Sequence, residues 1–146
     1  MPRFPLAPLG EEVFLSGRPT DSPMDLLPGT LELLILRALR WEPTHGWGVG
    51  AWIRLVTNGA FPLEEGTLYP ALKRLARRGW IESEWGTSEN GRRARFYTLT
   101  SAGRQALPRL VAEWESYVAA VDRAVKYGNP RALWADGRTG RRADGQ

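Results

Sequence analysis

Cysteine is absent from the 146 residues, and histidine occurs once, at His45. Those absences exclude disulfides, thiolate nucleophiles and sulfur-ligated zinc, and they leave no imidazole set for another transition metal, so no cofactor is expected. Long apolar runs are missing too. No stretch approaches the roughly 20 residues that span a bilayer, and the N-terminal region shows no basic start followed by a continuous apolar segment. The expectation is a soluble cytoplasmic protein without a membrane partner. Nor is there a large excess of one charge: 20 Lys and Arg against 16 Asp and Glu give +4, which permits a polyanionic partner without identifying one. Catalytic sets are equally scarce. Glu64 and Glu65 are adjacent and diverge, so they are no acid–base pair. Gly46-Trp47-Gly48-Val49-Gly50-Ala51 fits a dinucleotide-binding spacing but lacks the acidic residue about 20 positions on and the following parallel strand. The sequence reads as no enzyme.

What is present is patterned. Hydrophobic residues at 42% and charged residues at 25% match globular averages, and the length suits one compact domain with flexible ends. Residues 1–24 form an expected arm, rich in proline up to Pro23, with Met24 a candidate translation start. From Thr30 to Trp41, Leu31, Leu34, Ile35, Ala38 and Leu39 fall on one helical face, with Leu33 and Leu36 as a second strip. Pro43 then forces a turn. A second helix carries Val49, Trp52, Ile53 and Val56 inward and closes at Asn58-Gly59. A third turns Leu68, Leu72 and Leu75 inward and ends at Gly79, with Pro70 in its first turn or bending it. Trp80 to Trp85 and Ala94 to Leu99 alternate apolar and polar around a Gly/Asn/Ser-rich connection, which is a hairpin.

Leu107, Val111, Trp114, Val118, Val121 and Val125 then recur at alternating spacings of four and three, the seam of a helix that seeks a partner helix. Pro108 calls for a kink or a later start. The expected fold is mainly α with a small β-hairpin: a winged helix-turn-helix over residues 25–100, a dimerisation helix over 101–127 and a disordered basic tail over 128–146. In that order of elements, the third helix enters the major groove and the wing touches the backbone. Charge agrees with it. Lys73, Arg74, Arg77 and Arg78 crowd the third helix, and Arg92, Arg93 and Arg95 crowd the wing, where phosphate neutralisation requires cations. The bland alternative is a solvated basic face.

Several segments together resemble the PadR-like transcriptional regulators from about Leu26 to Leu107. They are Leu27-Pro28-Gly29-Thr30-Leu31, His45-Gly46-Trp47, Glu65 to Leu72 (Glu-Gly-Thr-Leu-Tyr-Pro-Ala-Leu), Arg78-Gly79-Trp80-Ile81, Gly91-Arg92-Arg93 with Phe96-Tyr97, and Leu99-Thr100-Ser101-Ala102-Gly103. The resemblance implies a homodimeric repressor on a palindromic double-stranded operator, released by a small aromatic or cationic effector. It implies that Thr67 and Tyr69 contact the DNA backbone, that Lys73 and Arg74 reach phosphates or base edges, and that Asn90, Arg92 and Arg93 grip from the wing. Trp47 stands where relatives carry tyrosine. Trp114 either caps a flat aromatic ligand in a dimer cavity or is core, and the other tryptophans read as core. His45 reads as a structural hydrogen-bonding residue rather than a metal ligand. The competing reading is a winged-helix module that binds protein through the apolar seam and has lost DNA.

Overall fold

The computed structural model describes residues 24–132, and contacts divide the chain into two units that meet at Leu110/Val111, inside the last long helix. The first unit opens on a reverse turn. Thr30 N donates to the Leu27 carbonyl (3.0 Å), with Pro28 and Gly29 as the central pair and Gly29 at φ 84°. Proline supplies the fixed φ of the first central position and glycine the positive φ of the second, the pairing a type II turn demands. Helix α1 (Thr30–Ala38) follows, stopping short of the expected Trp41 because Leu39 and Arg40 turn back with hydrogen bonds to Ile35, Leu36 and Arg37.

Residues 42–46, read from the sequence as turn alone, contain a two-residue strand, β1 (Thr44–His45), too short to show a period. Helix α2 (Gly46–Val56) ends where Asn58 and Gly59 take positive φ and Gly59 N donates to the Arg54 carbonyl. Helix α3 (Glu65–Arg78) contains Pro70 in its second turn. The helix continues because the amide that proline lacks would have served the Gly66 carbonyl, and both residues are exposed to solvent. The chain leaves α3 through Gly79 and enters β2 (Ile81–Thr87), then β3 (Arg93–Leu99). The sheet order is β1-β3-β2, antiparallel throughout, so β1 adds a third strand to the expected hairpin.

Ile35, Leu36, Leu39, Val49, Ile53, Leu72, Leu75 and Ile81 are the most completely buried side chains. Each contributes about 1.5–3 kcal/mol by leaving water. Val56, expected inward, is exposed at the last turn of α2. Helix α4 (Ser101–Lys126) is capped by Thr100, whose Oγ1 accepts from Gly103 N (3.1 Å) and donates to the Gly79 carbonyl (2.6 Å). It runs through Pro108 without the expected interruption, since Pro108 and Arg104, whose carbonyl loses an amide partner, both face solvent. Gly103, Ala106 and Leu107 are buried in the first unit. Leu107, at 5% exposure, therefore serves this chain's own core and is a correction to its place in the expected dimer seam.

The second unit, described by itself, begins at Val111. Trp114, Val118, Val121 and Val125 are exposed along the helix, and Trp114 lies against Tyr117 with ring centroids 6.1 Å apart. Within the expected disordered tail, residues 130–132 are helical, opened by Asn129, whose Oδ1 accepts from Arg131 N (2.8 Å). The expected arm up to Pro23 and the rest of the tail lie outside the described residues.

Candidate nucleic-acid interface

Helix α3 turns Leu68, Ala71, Leu72 and Leu75 into the core, which leaves Thr67, Tyr69, Lys73, Arg74 and Arg77 on exposed faces. Tyr69, Lys73 and Arg77 follow one another at intervals of four, so they form one stripe. The structure separates these residues chemically. Arg74 is engaged with α1: its Nε (3.0 Å) and Nη2 (2.8 Å) both donate to Glu32 Oε2. Lys73 and Arg77 have no carboxylate partner among the described residues. Tyr69 leans on the start of α2, where a side chain at Gly46 would collide with its phenol ring, and burial pushes its hydroxyl pKa up, with Tyr97 and Glu65 adding to the effect. Its ring edge is on the surface while its hydroxyl faces α2.

The wing turn runs from Ser88 to Arg92, closed by Ser88 N on the Arg92 carbonyl (2.8 Å) and Gly91 N on the Ser88 carbonyl (2.9 Å). Asn90 Oδ1 is held at 2.5 Å from Ser88 Oγ, so its carbonyl end shapes the turn and its amide end stays outward. Arg92 stands in the turn. Arg93 and Arg95 are exposed on β3, and both guanidinium carbons lie over the Trp85 ring, at 4.4 Å and 5.0 Å from its centroid.

The wing tip meets the start of α2 through His45. Its Nδ1 accepts from Gly48 N (3.0 Å), which caps the helix and leaves the ring proton on Nε2, facing Glu89 Oε1 at 3.6 Å. The hydrogen bond from its own backbone and the His45 imidazole hold the Glu89 carboxyl below the usual carboxylate range. His45 thus does the structural work expected of it. Among the described residues no group of three or more metal-ligating side chains exists.

A cleft of about 1600 Å³ opens between the start of α2 and the wing, walled among others by His45, Trp47, Trp85, Arg93, Arg95 and Phe96. The tryptophans correct the sequence reading. Trp41, Trp47 and Trp85, read as core, are 62%, 70% and 54% exposed. Trp41 carries Arg37 and Arg40 over its ring, and Trp80 carries Arg78. The missed signal at Trp41 was arginine one and four positions before it, and at Trp85 the arginines that strand register brings beside it; Trp47 has no such signal.

The family model described as the transcriptional regulator PadR-like family matches residues 35–109. An uncharacterised protein of Lysinibacillus sphaericus is 32% identical over 98 residues, covering 67% of this chain and 90% of its own. Among solved structures, a transcriptional regulator from Clostridium thermocellum is similar at TM-score 0.61 and 30% identity, over 67% of this chain and 92% of that one. A PadR family transcription regulator from Clostridium difficile is similar at TM-score 0.59 and 28% identity, over 66% of this chain and 99% of the other.

Proposed function

Since the chain belongs to the PadR-like family of transcriptional regulators, DNA-binding proteins rather than enzymes, we propose that it acts in the cytoplasm as a dimeric repressor on a palindromic operator. The observation that carries the reading is the pairing of two unneutralised cation groups on one winged helix: Lys73 and Arg77 on α3, and Arg92, Arg93 and Arg95 on the wing. Helix α3 enters the major groove and the wing neutralises phosphates beside it. Anisotropy against a labelled duplex from upstream of its own gene, with a scrambled duplex as control, tests this across a salt series. Tight, selective binding whose logarithm falls steeply with log salt is the expected result. Failure to bind either duplex at low salt overturns the reading in favour of a protein partner for the apolar seam.

Dimerisation through Val111, Trp114, Val118, Val121 and Val125 is supported by the exposure of the last four in a single chain, since one helix cannot bury such a seam alone. Pairing would set two recognition helices for half-sites about 34 Å apart. Val118→Asp with Val121→Asp is expected to give a folded monomer by sedimentation; a dimer that survives places the interface elsewhere. Effector control belongs to the same proposal. A small aromatic compound stacking on the Trp114–Tyr117 pair would favour a dimer with the wrong half-site separation, a shift between populations rather than a new interaction with DNA.

A further inference from the structure

The wing holds an arrangement that neither its fold nor its charge alone requires. Cross-strand register puts Trp85 opposite Arg95 and Thr87 opposite Arg93, so Trp85, Arg93 and Arg95 share one face, which continues from the core residues Leu99 and Tyr97. Arg95 is the direct neighbour of Trp85 and Arg93 the diagonal one, within reach of a long side chain. Both cations lie over the single indole, at 4.4 and 5.0 Å from its centroid. Residues two apart on a strand stand about 7 Å from each other, so the two positive charges repel. Neither guanidinium is ion-paired or hydrogen-bonded to another described residue. The attraction to the ring leaves the guanidinium N–H donors without a conventional acceptor. Two like charges gathered on one ring with their donors unused form a receptor that is complete only with an anion.

We propose that Trp85 is a positioning residue that holds Arg93 and Arg95 as a preformed pair for one segment of the phosphodiester backbone of duplex DNA. This rests on the DNA-binding reading above. A long arginine side chain loses rotamer freedom on binding, and a stack that restricts it beforehand removes part of that cost. The ring itself need not touch DNA. Because Trp85 is 54% exposed, its removal leaves the core intact.

The test is a double-mutant cycle in the full-length protein, read by anisotropy on the upstream duplex over a salt series. Trp85→Ala is expected to weaken binding about tenfold with the salt slope kept, since two side chains then order only on binding. Trp85→Phe should recover most of the loss. Removing both arginines should reduce the slope by about 0.9 for each phosphate that is no longer neutralised. In the Arg93→Ala, Arg95→Ala background, Trp85→Ala should add nothing. An equal loss in that background, or none in the wild type, overturns the proposal. A DNA-free readout separates the two layers. The Nε–H signals of Arg93 and Arg95 should be ring-current shifted in the wild type and unshifted in Trp85→Ala; if the wild type shows no such shift, the stack does not exist. If the shifts are present but the wild type binds no duplex, the DNA reading fails, and with it the task assigned to the stack.

Discussion

Replacing Lys73 and Arg77 together by alanine is expected to lower affinity for the proposed operator by about two to four orders of magnitude, while Arg74→Ala, one residue from Lys73, should change it by less than about threefold. The first number follows from losing two charge-assisted hydrogen bonds at roughly 1.5–3 kcal/mol each. The second follows from geometry, because Arg74 gives both Nε and Nη2 to Glu32 and ties α3 to α1. Its removal should instead lower stability by less than about 1 kcal/mol, as expected of a partly exposed ion pair. Anisotropy and urea denaturation of the same variants separate the two effects. Comparable affinity losses for Arg74→Ala and for the double variant would mean that the Glu32 pair opens to deliver Arg74 to DNA.

Gly103→Ala is expected to destabilise the protein by about 3 kcal/mol, against the gain of about 1 kcal/mol that alanine brings over glycine in an ordinary helix interior. A Cβ at Gly103 would land on the Trp80 carbonyl oxygen, and the Trp80 carbonyl carbon would stand only 3.0 Å away. Backbone cannot rotate aside as a side chain does, and this carbonyl is already fixed by Thr100 N at 3.0 Å. The first turn of α4 would have to lift from the sheet, taking Ala106 and Leu107 with it. A fall in Tm of more than about 10 °C is the corresponding readout. An unchanged or raised Tm would show that α4 does not pack its first turn on the Trp80 carbonyl.

The contrast between Thr100 and Gly103 shows which information was legible in the sequence. In sequence Thr100 stood out only as part of the run that starts the last helix, yet the cap it forms is a local relation that its residue type announces. Gly103 carries no such announcement, because the atom that forbids a side chain belongs to Trp80, across the whole hairpin. The same division holds elsewhere. The faces of α1 and α3 were readable from period 3.6, since that signal repeats within its own segment, and the hairpin from two strand-like segments around a Gly/Asn/Ser-rich connection, though β2 buries only Ile81. Leu107 was misplaced because a seven-residue pattern cannot tell a chain's own core from a partner's. Trp41 and Trp85 were misplaced because hydrophobicity scales record the indole's apolar area but not its attraction for guanidinium, whereas Trp47 lies near the His45 ring with no cation over it among the described residues. Lys73 and Arg74 look alike until Glu32, 42 positions before Arg74, is brought beside one of them.

The closure of the hairpin at its root has a consequence for how such proteins diversify. Thr100 binds the Gly79 and Trp80 carbonyls, so the strand that leaves the core and the one that returns are joined before the wing projects. The hairpin from Glu82 to Thr98 is anchored at that junction, with β1 adding a second hold at Phe96 and Tyr97. Residues added in pairs at the Ser88–Arg92 turn would preserve alternation and lengthen the arm without displacing Ile81 or Leu99, and doubling a loop's length costs only about 0.6 kcal/mol in closure entropy. Reach along the double helix is thus a quantity that selection can adjust separately from thermal stability, as the blade of a tool is changed without recasting its handle.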